Sequence, residues 1–439
     1  MKSESLLGLA LGCIFVALSG QWFWSSVFRQ EFPVAESVFA LVIGASLIFA
    51  FSIMILRMSP GVVHALRGVM LLVLIFLVYR IARPYLGGEA VSTSVKTALV
   101  VMALLLAMGA GFKGRRANWR RFCAATIAFS AIFIASFPLA GMSQRKEGNV
   151  AFGLSFLAHQ NHQPENVVLL LLDELSPEST GLIVDALRRQ NTSVYATDIA
   201  AAGFNTINAI PAMLTGQRFD YSMPCGAALL CSDGKSLDFS RLRVAGRAVD
   251  IIGILPSYCA IQGLRSCVSI RIEAAVPALQ SLVCDLLRSF FVSACNTNLL
   301  SNRGKEISAS RKHVEQSIMT APFWENGGLL YAHVWLPHPV GLSPNISLEK
   351  EYQANLVESA RLASQILERL NARFKNNFVL VLTSDHPLRV DFYCSVSAYA
   401  SENCKTGLPE NRGRVPLIVV SPKPIPAPVI NSAVGLLAG

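Results

Sequence analysis

Five long apolar stretches, at residues 6–24, 38–56, 68–82, 98–112 and 122–142, dominate the first third of the chain. A helix rises about 1.5 Å per residue, so roughly 20 apolar residues are needed to cross the hydrocarbon core of a bilayer. The first, second and fifth stretches reach that length unaided, and the third and fourth reach it with flanking residues. The pattern predicts an α-helical transmembrane domain of five spans over residues 1–142. A cleaved signal peptide is the rival reading of the first stretch. The apolar stretches behind it favour a polytopic domain. Trp22 and Trp24 close the first span, where indole rings anchor at the membrane interface.

Beyond residue 142 the pattern shortens. Residues 143–165 read as a juxtamembrane linker. Continuous apolar runs follow at 167–172, 329–334, 378–383 and 415–420. Runs of Val, Leu and Ile of this length suit strands buried on both faces. Between the second and third runs, Tyr352, Leu356, Ala360, Ala363, Leu367 and Leu370 recur at helical spacing and predict an amphipathic helix over 348–370. Strand, helix, strand predicts an α/β domain over 166–439 with a mostly parallel, doubly wound sheet. Residues 218–310 carry no readable periodicity.

Composition and charge support two parts of different character. Of the 439 residues 52% are hydrophobic and 15% charged, against about 25% charged in a soluble domain. The net charge is +10, yet residues 1–146 carry 14 Lys/Arg against 4 Asp/Glu while residues 147–439 carry 24 of each. The whole excess lies among the apolar stretches. That is the positive-inside distribution, not a basic groove for phosphate backbones, and it argues against nucleic acid as a partner. With the N-terminus inside, eight Lys/Arg fall on the cytoplasmic side and six outside, the cluster at 113–121 deciding the orientation. An odd number of spans then puts the α/β domain on the periplasmic or extracellular side of the cell's inner (plasma) membrane. Cys13 and Cys123 lie in the apolar stretches; the other eight cysteines, at 225, 231, 259, 267, 284, 295, 394 and 404, suit a disulfide framework in an oxidising compartment. Eight cysteines allow 105 connectivities.

In open parallel sheets, ligands collect at the carboxyl ends of the strands. Asp173 and Glu174 follow the first run. His333 lies in the second and His338 just after it. Asp385 and His386 follow the third. Carboxylates and imidazoles converging on one edge form the ligand set of zinc or a similar divalent cation. Thr206 leads into a predicted helix, where its hydroxyl can meet the metal and act as a nucleophile, or simply cap the helix. Backbone N–H groups at that helix start suit an anionic phosphoryl group. Arg389 is placed to touch an anionic substrate, with a surface position as the alternative.

Five pieces, NVVLLLLDE at 166–174, TINAIPAM at 206–213, HVWLPHP at 333–339, VLTSDH at 381–386 and VPLIVVSP at 415–422, together resemble the alkaline-phosphatase/sulfatase superfamily. The branch they resemble is that of the membrane-anchored phosphoethanolamine and phosphoglycerol transferases. The resemblance implies that Asp173, Glu174, Asp385 and His386 are metal ligands. It implies that Thr206 ligates the metal and carries a covalent phospho-intermediate. His338 would bind substrate phosphate or a second metal and act as general acid, with His333 in support. It further implies Zn2+, or Mn2+, Mg2+ or Ca2+, and transfer of a phospholipid head group from a membrane donor to a lipid or glycan acceptor. The chain departs from the pattern at Pro387, where the transferases usually carry Gly, and at Ala212, in place of a common Cys. No histidine follows His386. There is no CxPSR-like sequence, which disfavours sulfate-ester hydrolysis.

Two other functions stay open on these residues. One is a hydrolase of the same superfamily, a phosphodiesterase or sulfuric-ester hydrolase with water as acceptor. The other is a non-catalytic membrane scaffold with a degenerate fold. A transporter is disfavoured, because the apolar stretches hold almost no mid-span charge.

Overall fold

The computed structural model describes scattered positions between 16 and 28, residues 34–56 and 148–150, and, from 165 onward, all but 191, 221, 233–234, 245, 255–256, 271–281, 283–298, 341–345, 396–406, 409–412, 425–429 and 439. The second expected span is a helix, α1 (Val34–Leu56), with Glu36 its one charged residue. Its side chains are described over 35–48, where Val38, Phe39, Val42 and Leu47 are exposed. That stretch rises about 21 Å, and among the described residues no helix is long and apolar enough to cross a membrane. The other four spans, a few helical positions near the first aside, lie outside the described residues. So does most of the linker, except a short strand, β1 (Gly148–Val150).

The α/β domain is built, in chain order, from β2 (Asn166–Leu172), α2 (Gly181–Arg188), β3 (Ser193–Ala200), α3 (Thr206–Thr215), β4 (Met223–Gly226), β5 (Leu229–Ser232), β6 (Lys235–Asp238), β7 (Leu242–Val244), β8 (Val249–Gly253), β9 (Ser266–Ser269), α4 (Leu299–Thr320), α5 (Phe323–Asn326), β10 (Gly328–Val334), α6 (Leu348–Phe374), β11 (Phe378–Thr383), α7 (Val390–Ser395) and β12 (Arg414–Ser421). Seven of the strands form one sheet in the order β3-β12-β11-β2-β10-β8-β9. From β11 to β9 every pairing is parallel, while β12 runs antiparallel to both neighbours.

The continuous apolar runs follow from burial on both faces. Along β2, Val168, Leu170 and Leu172 enter one core layer, and Val167, Leu169 and Leu171 the other. The first layer lies under α2, α4 and α6, which supply Ile183, Val184, Leu187, Ile318, Tyr352 and Leu367 among others. The second lies under α3, with Ala209, Ile210, Met213 and Leu214. Neither face meets water, so no polar alternation is required.

The unreadable segment between 218 and 310 holds two kinds of structure. Strands β4, β5 and β6 make a small antiparallel sheet, tied by a disulfide between Cys225 and Cys231. Strands β8 and β9 extend the main sheet, and a second disulfide, Cys259–Cys267, ties the turn between them to β9. Cys394 is disulfide-bonded as well. Asp250 interrupts β8 and is fully buried. It is tolerated because Arg265 donates Nε–H to it at 3.0 Å and Ser266 its hydroxyl at 2.7 Å, which satisfies the buried charge. β1 pairs in parallel with β7.

Candidate active site

Strand register brings the candidate residues to one level. Leu171 of β2 is paired with His333 on one side and Thr383 on the other. Asp173 therefore leaves the sheet between His333 and the Ser384-Asp385-His386 turn, at the carboxyl edge of three parallel strands. Asp173, His333 and Asp385 are buried, and each offers a ligand atom within 4.8 Å of the others. His386 completes the cluster, its Nε2 standing 3.6 Å from Asp173 Oδ1, 3.4 Å from Asp385 Oδ2 and 3.5 Å from Thr206 Oγ1.

Thr206 is held by the start of α3. The N-cap is Asn205, whose side chain accepts the Asn208 N–H at 3.0 Å. Capping is thus done by the preceding residue, and the Thr206 hydroxyl faces His386 instead. The approach is tight: a Cβ on Gly203 would stand 2.6 Å from Ala209 N and 2.9 Å from Asn208 Cβ. Only glycine lets the incoming loop lie on the first turn of the helix.

The electrostatics of the cluster suit a cation. Asp173 Oδ1 and Asp385 Oδ2 are fully buried and make no hydrogen bond, an arrangement that costs free energy unless something cationic meets them. Burial, reinforced by the charges of Asp385 and Glu174, holds the Asp173 carboxyl well above the usual carboxylate range. Burial also pushes Asp385 up, but the His386 and His333 rings and the Thr206 hydroxyl outweigh it, and its pKa falls. Burial, with the Arg389 charge, lowers the pKa of His386 and so favours a neutral, ligating ring. Both histidines have Nδ1 engaged. His386 Nδ1–H donates to the Pro387 carbonyl at 3.1 Å, and His333 Nδ1 lies 3.1 Å from the Tyr258 hydroxyl. With Nδ1 engaged, Nε2 would be the atom offered to a metal, the usual arrangement of metal-binding imidazoles. Donors around a zinc ion at about 2.0 Å stand roughly 3.3 Å apart, close to the separations about His386 Nε2. The donor set fits a divalent cation.

Glu174 stands beside this cluster with other partners. Its backbone is left-handed, φ 63°. That conformation is enforced by its N–H meeting Asp385 Oδ1 at 3.4 Å and its C=O accepting the Tyr352 hydroxyl at 2.9 Å. The side chain is turned to Arg389, at 2.8 Å, and to Tyr393, at 2.5 Å, and its nearest approach to His386 is 3.9 Å, at Nδ1. Of the paired acids, Asp173 reaches the cluster and Glu174 anchors Arg389. The Arg389 guanidinium, 22% exposed, lies 4.7 Å over the Phe392 ring.

His338 borders this second group. Tyr393 Oη is 3.2 Å from its Nε2, and Trp335 stacks on its ring at 5.6 Å. Arg311 of α4 and Asn355 of α6 pin its carbonyl at 2.6 Å and 3.0 Å. Burial, with the nearby charges of Arg389 and Arg311, pushes its pKa down to about 3. Such a ring is neutral at pH 7. His333, by contrast, lies among the carboxylates.

Tyr258, Tyr393 and Arg311 were not singled out from the sequence, and Tyr352 was read only as a position on the apolar face of a helix. Tyr393 alone left a sign, four residues after Arg389 on what becomes one turn of helix. The others come from segments remote in the chain.

No protein-family model matches the sequence, and no curated protein matches it. Solved structures similar to the chain include the integral membrane protein lipooligosaccharide phosphoethanolamine transferase A of Neisseria meningitidis, at 11% identity and TM-score 0.38, over 95% of this chain and 88% of that one. A sulfatase from Pseudoalteromonas sp. is similar at 13% identity and TM-score 0.39, over 65% and 69%. A phosphonate monoester hydrolase of Agrobacterium radiobacter is similar at 11% identity and TM-score 0.35, over 62% and 72%.

Proposed function

We propose that the chain is a sulfatase-like, metal-dependent phosphotransferase that moves a phospholipid head group, of phosphoethanolamine or phosphoglycerol type, onto a lipid or glycan hydroxyl. The observation that carries this reading is the position of Thr206 Oγ1, 3.5 Å from His386 Nε2, which itself lies 3.6 Å and 3.4 Å from two otherwise unmatched carboxylate oxygens. The sequence motifs that resemble the transferases support it. The apolar stretches of the N-terminal third support a multi-pass anchor, which would hold the domain at the bilayer surface where lipid donors reside.

Asp173, Asp385, His386 and His333 would hold the cation, with Thr206 beside it; zinc suits this nitrogen and oxygen set. When bound, the cation supplies Lewis acidity, favouring an ionised hydroxyl and offsetting phosphoryl charge. Thr206 Oγ1 gives up its proton to solvent and forms a bond to phosphorus. The bond from phosphorus to the lipid alcohol breaks, and that alcohol leaves with a proton from solvent. The oxygen of an acceptor hydroxyl then bonds to the phosphorus of phospho-Thr206 and gives its proton to solvent, while the bond from phosphorus to Thr206 Oγ1 breaks and Oγ1 takes a proton back. Arg389, aimed by Glu174, binds a phosphoryl or head-group anion. His338, neutral at pH 7, suits hydrogen bonding to a phosphoryl oxygen better than delivery of a proton.

Mass spectrometry of the full chain after exposure to phospholipid tests the reading. A head-group phosphate adduct on Thr206, absent in Thr206→Ala, is expected. Full turnover with Thr206 never modified would sink the covalent mechanism. Recovery of free head group without modified acceptor would favour the hydrolase.

A further inference from the structure

The most developed polar feature behind the cluster is a buried chain of three rings. Tyr258 Oη lies 3.1 Å from His333 Nδ1 and 2.8 Å from Tyr331 Oη. Tyr331 and His333 are two residues apart on β10, hence on the same face of the strand, and Tyr258 bridges them. It packs edge-on against both, at ring-centroid separations of 5.2 Å and 6.1 Å. All three are buried, none more than 1% exposed. Phenylalanine would fill the same volume at either tyrosine. Two hydroxyls are carried into the core instead, a cost unless they are hydrogen-bonded.

We propose that Tyr258 is a positioning residue for the metal centre, which fixes the His333 ring with Nδ1–H donated to the tyrosine oxygen and Nε2 toward Asp173 and Asp385. Tyr258 in turn donates its proton to Tyr331, so each member has a defined role. The inference rests on the metal-site reading above and adds to it the outer residue that selects the ligand's tautomer and direction.

The chain fixes Tyr258 from two sides. The next residue, Cys259, is bonded to Cys267 on β9, which ties the turn to the sheet edge. Gly253, the last residue of β8, makes room for the ring: a Cβ there would stand 2.9 Å from both Tyr258 Cδ2 and Cε2. The disulfide and the glycine serve one side chain that does not itself reach the candidate cation.

Zinc affinity of the purified full chain, measured by competition with a chromogenic chelator, tests this. Tyr258→Phe keeps the ring and is expected to bind zinc about 10- to 100-fold more weakly. The absorption spectrum of its Co2+ form should shift from that of the wild type. The Cys259→Ser/Cys267→Ser double variant, which keeps the hydroxyl but frees its turn, should also bind zinc more weakly. A purely structural role for Tyr258 would lower thermal stability and leave the zinc affinity of both variants within twofold of wild type; that result overturns the proposal. In that case, loss of zinc in Asp385→Ala would show that the metal site itself stands. Failure of the wild type to bind zinc would remove both.

Discussion

Arg389 donates its Nε–H to Oε1 of Glu174 at 2.8 Å, 215 residues away in sequence, while Tyr393 donates its hydroxyl to Oε2 at 2.5 Å. A carboxylate with both oxygens so engaged is expected to aim the guanidinium rather than to ligate a metal. Burial works against the Arg389 charge, and Glu174 beside it more than compensates, so its pKa is raised. The residue after Asp173 thus ties Arg389 and Tyr393 to the edge of the cluster.

Glu174→Ala separates these roles. Removing one partner of a buried pair leaves the other charge unmatched and costs about 3 kcal/mol. Urea unfolding of the metal-free protein should show a loss of that size, while bound metal per chain, read by mass spectrometry of the metal, stays at the wild-type value. Loss of metal with unchanged stability would instead make Glu174 a ligand.

Thr206 gives a different signature, because Asn205 already caps α3. Thr206→Ala is expected to cost less than about 1 kcal/mol of stability, in keeping with a side chain that does not cap. Removing a nucleophile from a unit that acts together costs several powers of ten, so activity should fall at least about 10³-fold. Thr206→Ser keeps an oxygen on Cβ and should retain a measurable fraction. Equal activity of the Ala and Ser variants would argue that the hydroxyl does no chemistry.

The readable parts of the fold were those where one physical constraint acts alone. β2, β10, β11 and β12 are buried on both faces, so their apolar runs stood out in the sequence, and α6 declared itself by period. β3 escaped because it is an edge strand with Thr197 and Asp198 in its middle. β8 escaped because Asp250 breaks its apolar run, and only the fold reveals Arg265 and Ser266 as its partners. The direction of β12 has no local signal, since a strand covered on both faces looks the same either way. The residues at the sheet edge were legible for the same reason as the strands: Asp173, Asp385 and His386 follow strands directly and His333 lies in one. The division of labour between Asp173 and Glu174 was not, because adjacent residues point to different sides and only the left-handed turn at Glu174 decides which one faces the sheet edge.

His338 predicts a pH dependence. Its folded pKa of about 3 lies below the ordinary 6.5, chiefly through burial. Between those values the unfolded chain binds a proton that the folded chain does not. Its contribution to stability is therefore full above pH 6.5 and is lost as pH falls toward 3. One such proton changes stability by at most about 1.4 kcal/mol per pH unit. The difference in urea midpoint between pH 7.5 and pH 5 should be smaller in His338→Gln than in wild type. Identical differences would mean that His338 titrates normally in the folded protein.

Metal removal should reverse the sign of a mutation. In the metal-free protein Asp173 is buried beside Asp385 and Glu174 with an oxygen that makes no hydrogen bond. Its charge is a liability there and an asset once a cation is bound. Asp173→Asn is therefore expected to melt above the wild type in excess chelator, by an amount on the order of 1 kcal/mol. With zinc at 100 times its dissociation constant the wild type should gain about 2.7 kcal/mol, and Asp173→Asn should gain little. Thermal melts of both proteins in chelator and in zinc make the comparison. If Asp173→Asn is the less stable protein in chelator, the carboxylate is held by ordinary structural partners and the case for a cation at this edge of the sheet is lost.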